Sequence, residues 1–238
     1  MIVKPIWHSF TSFWLWFNLI TSPFLILRPE LQDNKEFWYA LWFNELVWLM
    51  DILRKFFDKP KKSRASDTYE VAVGYIKSTL ILDMVSSLPQ IASALSLKFN
   101  PLKILRIYQI WLLHYPFEAA TKIFIKDKRK NYVTTYACST LCKILLLLHY
   151  LAIVWVWIGS PSFVGYEKGL DPWQVANEDF KTNTQWQIYI FSVYWVCTVV
   201  TTVGYGDYSG GTTLEYNYTI CLEFLGLVVF SVLQVAVR

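Results

Sequence analysis

Seven consecutive residues, Thr201-Thr202-Val203-Gly204-Tyr205-Gly206-Asp207, have the types and spacing to replace the water around a bare monovalent cation. A cation the size of potassium in a narrow passage must exchange its hydration shell for oxygens at matched spacing. Long side chains are too mobile to supply them. Backbone carbonyls are better, provided that successive ones point the same way, and ordinary extended chain alternates them. Gly204 and Gly206 lack a Cβ, so both can take left-handed angles that remove the alternation. Thr202, Val203, Gly204 and Tyr205 then offer carbonyls in a column as ligands for such a cation. The Thr202 hydroxyl is a further ligand at the inner end, and Asp207 sits at the outer mouth. The ion is cargo here, and no cofactor is implied.

Such a loop needs rigid support. The apolar, aromatic segment Trp186–Thr201 contains no Pro or Gly and predicts a helix of about four turns, at about 1.5 Å per residue, that ends at the loop. Its carbonyl end carries partial negative charge and favours a cation below it. Tyr194, Trp195 and Tyr205 are placed to form an aromatic cuff around the loop, with Thr201 and Asp207 as its flanks. A single loop cannot surround an ion. The loop resembles the potassium-channel filter, which takes four such loops about one axis, so the resemblance implies a homotetramer.

The rest of the chain has the composition of a membrane protein. Of its 238 residues 55% are hydrophobic and 17% charged, against about 25% charged in ordinary soluble domains. Twelve Trp and fifteen Tyr suit a protein with two membrane interfaces, where amphipathic rings settle. Membrane lipid is therefore an expected partner. The net charge of +4 is small and its basic residues lie in loops, which argues against nucleic acid. Cys138, Cys142, Cys197 and Cys221 lie in apolar runs without metal-ligand company, as packing residues do. No nucleophile–base pair, metal cluster or phosphate loop is evident, so an enzyme is not expected.

Six stretches have about the length a bilayer requires: Trp7–Leu27, stopped by Arg28-Pro29; Phe37–Phe57; Tyr69–Leu88, ending at Pro89; Leu102–Phe124, ended or kinked near Tyr115 by Pro116; Tyr132–Gly159; and Leu214–Arg238. The loop after the second carries Arg54, Lys55, Lys59, Lys61, Lys62 and Arg64. The loop after the fourth carries Lys122, Lys126, Lys128, Arg129 and Lys130. Because basic loops stay inside, both termini are expected on the inner side and the mouth of the Gly-rich loop outside.

Several stretches match one family. Tyr189–Asp207, YIFSVYWVCTVVTTVGYGD, looks like the pore helix and filter of six-helix voltage-gated-type potassium channels. The branch it resembles includes ether-à-go-go and hyperpolarisation-activated channels, which carry a cyclic-nucleotide-binding domain. TVGYG is itself the known filter signature of potassium channels. Tyr75–Gln90 is similar to the third helix of the branch, with Asp83 and Ser-Ser-Leu-Pro in place. Leu147–Ser160 looks like the end of its fifth helix. Glu215 matches the acidic residue after the filter, and Gly226 the hinge glycine of the sixth helix; close helix packing explains that glycine equally well.

The resemblance implies an all-α membrane protein: a four-helix voltage-sensor-like bundle, then a two-helix pore domain with a re-entrant pore helix and filter loop. The expected division is 1–126, with helices near 7–27, 37–57, 69–88 and 102–124, and 127–238. The second part holds helices near 132–159 and 214–238, pore helix 186–201 and filter 202–206. The implied fourth helix, Leu102–Trp111, should carry a basic residue every third position. Lys103 and Arg106 obey; Gln109, Leu112 and Tyr115 do not. Glu45, Asp51 and Asp83 read as counter-charges: Glu45 and Asp83 to Lys103 or Arg106, Asp51 beside Arg54 and Lys55. Two charges in each of four subunits reach a ceiling of roughly 18 kcal/mol per 100 mV only if both cross the whole field; Lys103 follows Pro101 near the outer boundary and can snorkel there, moving little, so voltage dependence is expected to be weak at most. The chain stops at Arg238, before the cytoplasmic domains of the branch. The implied function is potassium-selective conduction. The alternative is a channel-derived, non-conducting structural subunit held among other membrane proteins.

Overall fold

The computed structural model describes residues 3–27, 34–58, 68–93, 100–160, 170–176 and 184–237. Arg28-Pro29, the basic residues Lys59, Lys61, Lys62 and Arg64, and Pro161, Gly165 and Gly169 lie outside the described residues, as does the Lys103 side chain. Every regular element among the described residues is helical. The chain divides into two compact units, Met1–Thr135 and Tyr136–Arg238.

The first unit contains α1 (Val3–Leu27), α2 (Lys35–Phe57), α3 (Thr68–Ser78) and α4 (Leu80–Ser93). A 3-10 helix (Asn100–His114) and α5 (Tyr115–Phe124) follow. Asn34 caps α2, its side-chain oxygen accepting from the Glu36 and Phe37 amides at 3.0 and 3.2 Å. The core face of α1 alternates Leu15, Leu19 and Leu25 with Thr11, Ser12, Asn18 and Ser22, all buried. That face packs chiefly on the 3-10 helix.

Two expectations need correction here. The third span does not end at Pro89: α4 runs on to Ser93, and the break falls earlier, at Thr79. Proline removes one backbone bond, but in a lipid setting leaving the helix would strand many more, so continuation is cheaper. The fourth span is not one α-helix. Residues 100–114 form a 3-10 helix of fifteen residues, far longer than the usual three or four. Pro116 then lies in the first turn of α5, where its missing N–H has no partner to lose.

The second unit holds most of α6 (Lys128–Ile158), with α7 (Trp173–Ala176), α8 (Gln185–Val200) and α9 (Thr213–Val237). Thr184 and Gln187 close a reciprocal capping box at the start of α8. The interior is aromatic. The Trp155 ring lies nearly parallel to Trp195, with centroids 3.8 Å apart, and to Trp173 at 5.6 Å. Among the described residues, α6 alone is long and apolar enough to cross a membrane by length and composition. The other expected spans are broken, shortened, or carry polar and charged residues along their length.

Candidate functional site

In the second unit, α8 delivers the chain directly into the Thr201–Asp207 loop. Thr202, Gly204 and Gly206 all have positive φ, at 61°, 53° and 72°. Left-handed residues at every second position turn successive carbonyls toward a common side. The two glycines take these angles without strain. Thr202 does not: a β-branched residue at positive φ is an outlier, worth about 1–3 kcal/mol of strain. The sequence reading assigned left-handed angles to the glycines and missed Thr202, because nothing in its type favours them.

The amides of Thr202, Val203 and Gly204 turn inward to α8. Val203 and Gly204 N–H both donate to the Thr198 carbonyl, at 2.9 and 3.1 Å, and Thr202 N–H donates to Val199 at 3.0 Å. Among the described residues no carbonyl of Thr202–Gly206 accepts a hydrogen bond. Every residue from Thr201 to Asp207 is exposed in a single chain.

The supporting residues hold the loop at its far end. Tyr194 stacks on Tyr205 with the rings 6° from parallel, and its hydroxyl donates to Asp207 at 2.8 Å. Trp195 Nε1 donates to the Tyr208 carbonyl at 2.8 Å. Thr201 turns its hydroxyl back onto the Cys197 carbonyl at 2.6 Å and caps α8. Gly226 of α9 lies so close to α8 that an added Cβ would meet the Val200 carbonyl oxygen at 2.5 Å. His149 bonds the Tyr189 hydroxyl at 2.8 Å, as a packing residue does.

Glu215 binds the loop's exit to its surroundings. It is fully buried and accepts backbone N–H groups from Trp173 (3.0 Å), Gly211 (2.6 Å) and Thr212 (3.1 Å). Trp173 Nε1 in turn donates to the Trp155 carbonyl at 3.2 Å. The sequence reading passed over Trp173 and Trp155. A Trp beside Pro172 in a polar loop was the available signal.

In the first unit the charged residues form two tiers. In the first, Arg106 is fully buried and pairs with Glu45 at 3.0 Å. It donates to Ser87 Oγ at 2.7 Å, and its guanidinium lies 4.4 Å from the Trp48 ring centroid. The second tier centres on Asp83, which does not pair with Arg106. It accepts from Lys55 (3.0 Å), Tyr75 (2.7 Å), Tyr108 (2.5 Å) and Gln109 (2.8 Å). Lys55 also pairs with Asp51 at 3.0 Å, and Asp51 is bound by Arg54 (3.0 Å) and the Trp7 indole (2.8 Å). The cation facing Asp83 therefore comes from α2. Gln109 occupies the next step of the three-residue series after Arg106 and brings only an amide.

The 3-10 conformation explains the alignment. At three residues per turn, positions three apart eclipse one another. Arg106, Gln109 and Leu112 are accordingly all buried, at 0%, 1% and 3% exposure. In an α-helix the same series would drift around the cylinder.

A buried Arg106–Glu45 pair in one unit and a left-handed glycine loop in the other, on elements that are all helical among the described residues, are what an integral membrane protein of the ion-transport class carries. Residues 4–237 match the ion transport protein family, and the chain belongs to it. It is similar to Potassium channel AKT1 of Arabidopsis thaliana, 26% identical over 95% of this chain and 26% of that protein. It is similar also to Potassium channel KAT4 of Oryza sativa subsp. japonica, 27% identical over 93% of this chain and 38% of that protein. The human Voltage-gated delayed rectifier potassium channel KCNH5 is 23% identical over 94% of this chain and 25% of its own length. The chain thus spans between a quarter and two fifths of these relatives.

Proposed function

We propose that the chain forms a potassium-selective pore, with four copies placing their Thr202–Tyr205 carbonyls around a common axis. The observation that carries this reading is the left-handed series Thr202, Gly204, Gly206, with the loop's amides engaged on α8. That backbone leaves a row of carbonyl oxygens without a hydrogen-bond partner among the described residues, and dehydrated potassium is the ion such rows coordinate. The first unit is a voltage-sensor-like bundle in which Lys103 and Arg106 are the sensor charges and Glu45, Asp51 and Asp83 the counter-charges. Its response to voltage is weak, because Lys55 already neutralises the Asp83 tier and Gln109 brings no charge to it. Both termini lie on the inner side, as the basic loops suggest. The third-helix and filter residues resemble those of the ether-à-go-go and hyperpolarisation-activated branch. Nothing favours the non-conducting reading.

Potassium flux into vesicles containing the purified chain tests the pore. Wild type should load potassium well ahead of sodium. Gly204→Ala should abolish the flux, because alanine is strained at a φ of 53°. Equal fluxes from the two proteins would refute conduction through this loop.

A further inference from the structure

Glu223 is used by neither the filter loop nor the charge tiers. It lies on α9, ten residues after the helix begins at Thr213, which is about 15 Å along the axis at 1.5 Å per residue. That is close to half of a hydrocarbon core about 30 Å thick. The side chain is exposed, and among the described residues it makes no ion pair or hydrogen bond. A carboxylate at this depth is costly against lipid and is stable where it borders water.

The fold indicates where that water is. The packed stripe of α9 is Leu222, Gly226 and Val229. Beside it run Glu223, Leu227 and Phe230, spaced i, i+4, i+7 and exposed. Glu223 lines an open recess of about 390 Å³ together with Leu227, Phe224, Val199, Thr202 and Gly204. Thr202 is the inner end of the carbonyl row. Val199 belongs to the last turn of α8, whose carbonyl end adds partial negative charge. Three sources of negative potential therefore meet at one recess: a carboxylate, a helix C-terminus and the first filter oxygens.

We propose that Glu223 faces the water-filled vestibule immediately inside the filter and there forms a site for a divalent cation. This rests on the tetrameric pore reading, which brings four such carboxylates around one axis. Their summed charge concentrates cations ahead of the filter. A hydrated divalent ion is held without being stripped, because small divalent cations dehydrate reluctantly. It then obstructs potassium leaving through the filter. The channel passes inward current more readily than outward current whenever divalent cations are present on the inner side.

The experiment uses the full chain in excised giant-liposome patches with symmetric potassium, and Mg2+ as the probe. Wild type should show outward block by Mg2+ applied to the inner face, deepening as the inner side is made positive. Glu223→Gln should weaken the block about ten-fold or more, whereas Glu223→Asp, which keeps the charge, should retain it. As a second measurement, Glu223→Cys should lose current to a positively charged thiol reagent applied from the inner side, faster than wild type with its native cysteines. Equal Mg2+ block in wild type and Glu223→Gln, with no faster modification of Glu223→Cys, overturns the site while leaving the pore intact. A wild-type chain that carries no Gly204-dependent potassium current overturns both.

Discussion

Replacing Arg106 with Met should be among the most damaging single changes in the first unit. Arg106 and Glu45 are 0% and 1% exposed, 3.0 Å apart, with Ser87 and Trp48 completing the guanidinium's surroundings. Removing one member of a buried pair costs about 3–5 kcal/mol, mostly by leaving the other charge without compensation. Glu45 Oε2 and Arg106 Nε and Nη1 have no partner among the described residues, so bound water is expected there and the low end of the range applies. For a chain of this size each kcal/mol corresponds to roughly 2–4 °C, so a loss of about 3 kcal/mol should lower the melting temperature of Arg106→Met by about 6–12 °C. Glu45→Met should do similar damage. The double variant should recover most of the loss, because two apolar groups replace two desolvated charges. The control is Lys122→Met, which breaks an exposed pair with Glu118 at 2.6 Å and should cost about 0.5 kcal/mol or less. Thermal unfolding in detergent, followed by tryptophan emission, reads all four. If Arg106→Met costs no more than the Lys122 control, or if the two single losses simply add, the pair is solvated and the reasoning fails.

Two further outcomes follow from the second unit. Gly226→Ala should cost about 1–3 kcal/mol and reduce potassium flux, because its Cβ would meet the Val200 carbonyl at 2.5 Å and push α9 off α8; an unchanged melt and flux would restore a pure hinge role. Glu215→Gln should cost about 1.5–3 kcal/mol, since a neutral amide replaces a carboxylate that accepts three backbone N–H groups. Hydrogen exchange at the Gly211 and Thr212 amides should quicken several-fold, and protection equal to wild type would count against this clamp.

The loop from Thr201 to Asp207 was legible because its chemistry is local. Two glycines one residue apart, after a proline-free aromatic helix, specify a backbone with little help from elsewhere. Glu45, Asp51 and Asp83 were legible as a group because charged residues in apolar spans need partners. Which partner each took was not. Lys55 reaches Asp83 from another helix through a long flexible stem, and no spacing rule encodes that reach. The left-handed Thr202 is imposed by the two amides that follow it binding one carbonyl, Thr198. The Trp173–Trp155–Trp195 stack joins three segments distant in sequence, so only the folded chain displays it. The choice of 3-10 over α at residues 100–114 is likewise tertiary. It keeps Arg106 and Gln109 on one line against fixed acceptors, which local propensity cannot foresee.

That tightly wound segment changes how far fifteen residues reach. At about 2.0 Å each they extend roughly 30 Å, against roughly 22 Å as an α-helix. In this form a stretch of fifteen residues matches the thickness of a bilayer's oily layer, about 30 Å, whereas the same count wound as an α-helix falls short of it. Its natural unit of length is the triplet. Deleting three residues would preserve the inward-facing line and shorten the rod by about 6 Å, whereas deleting one would turn everything beyond it by a third of a revolution.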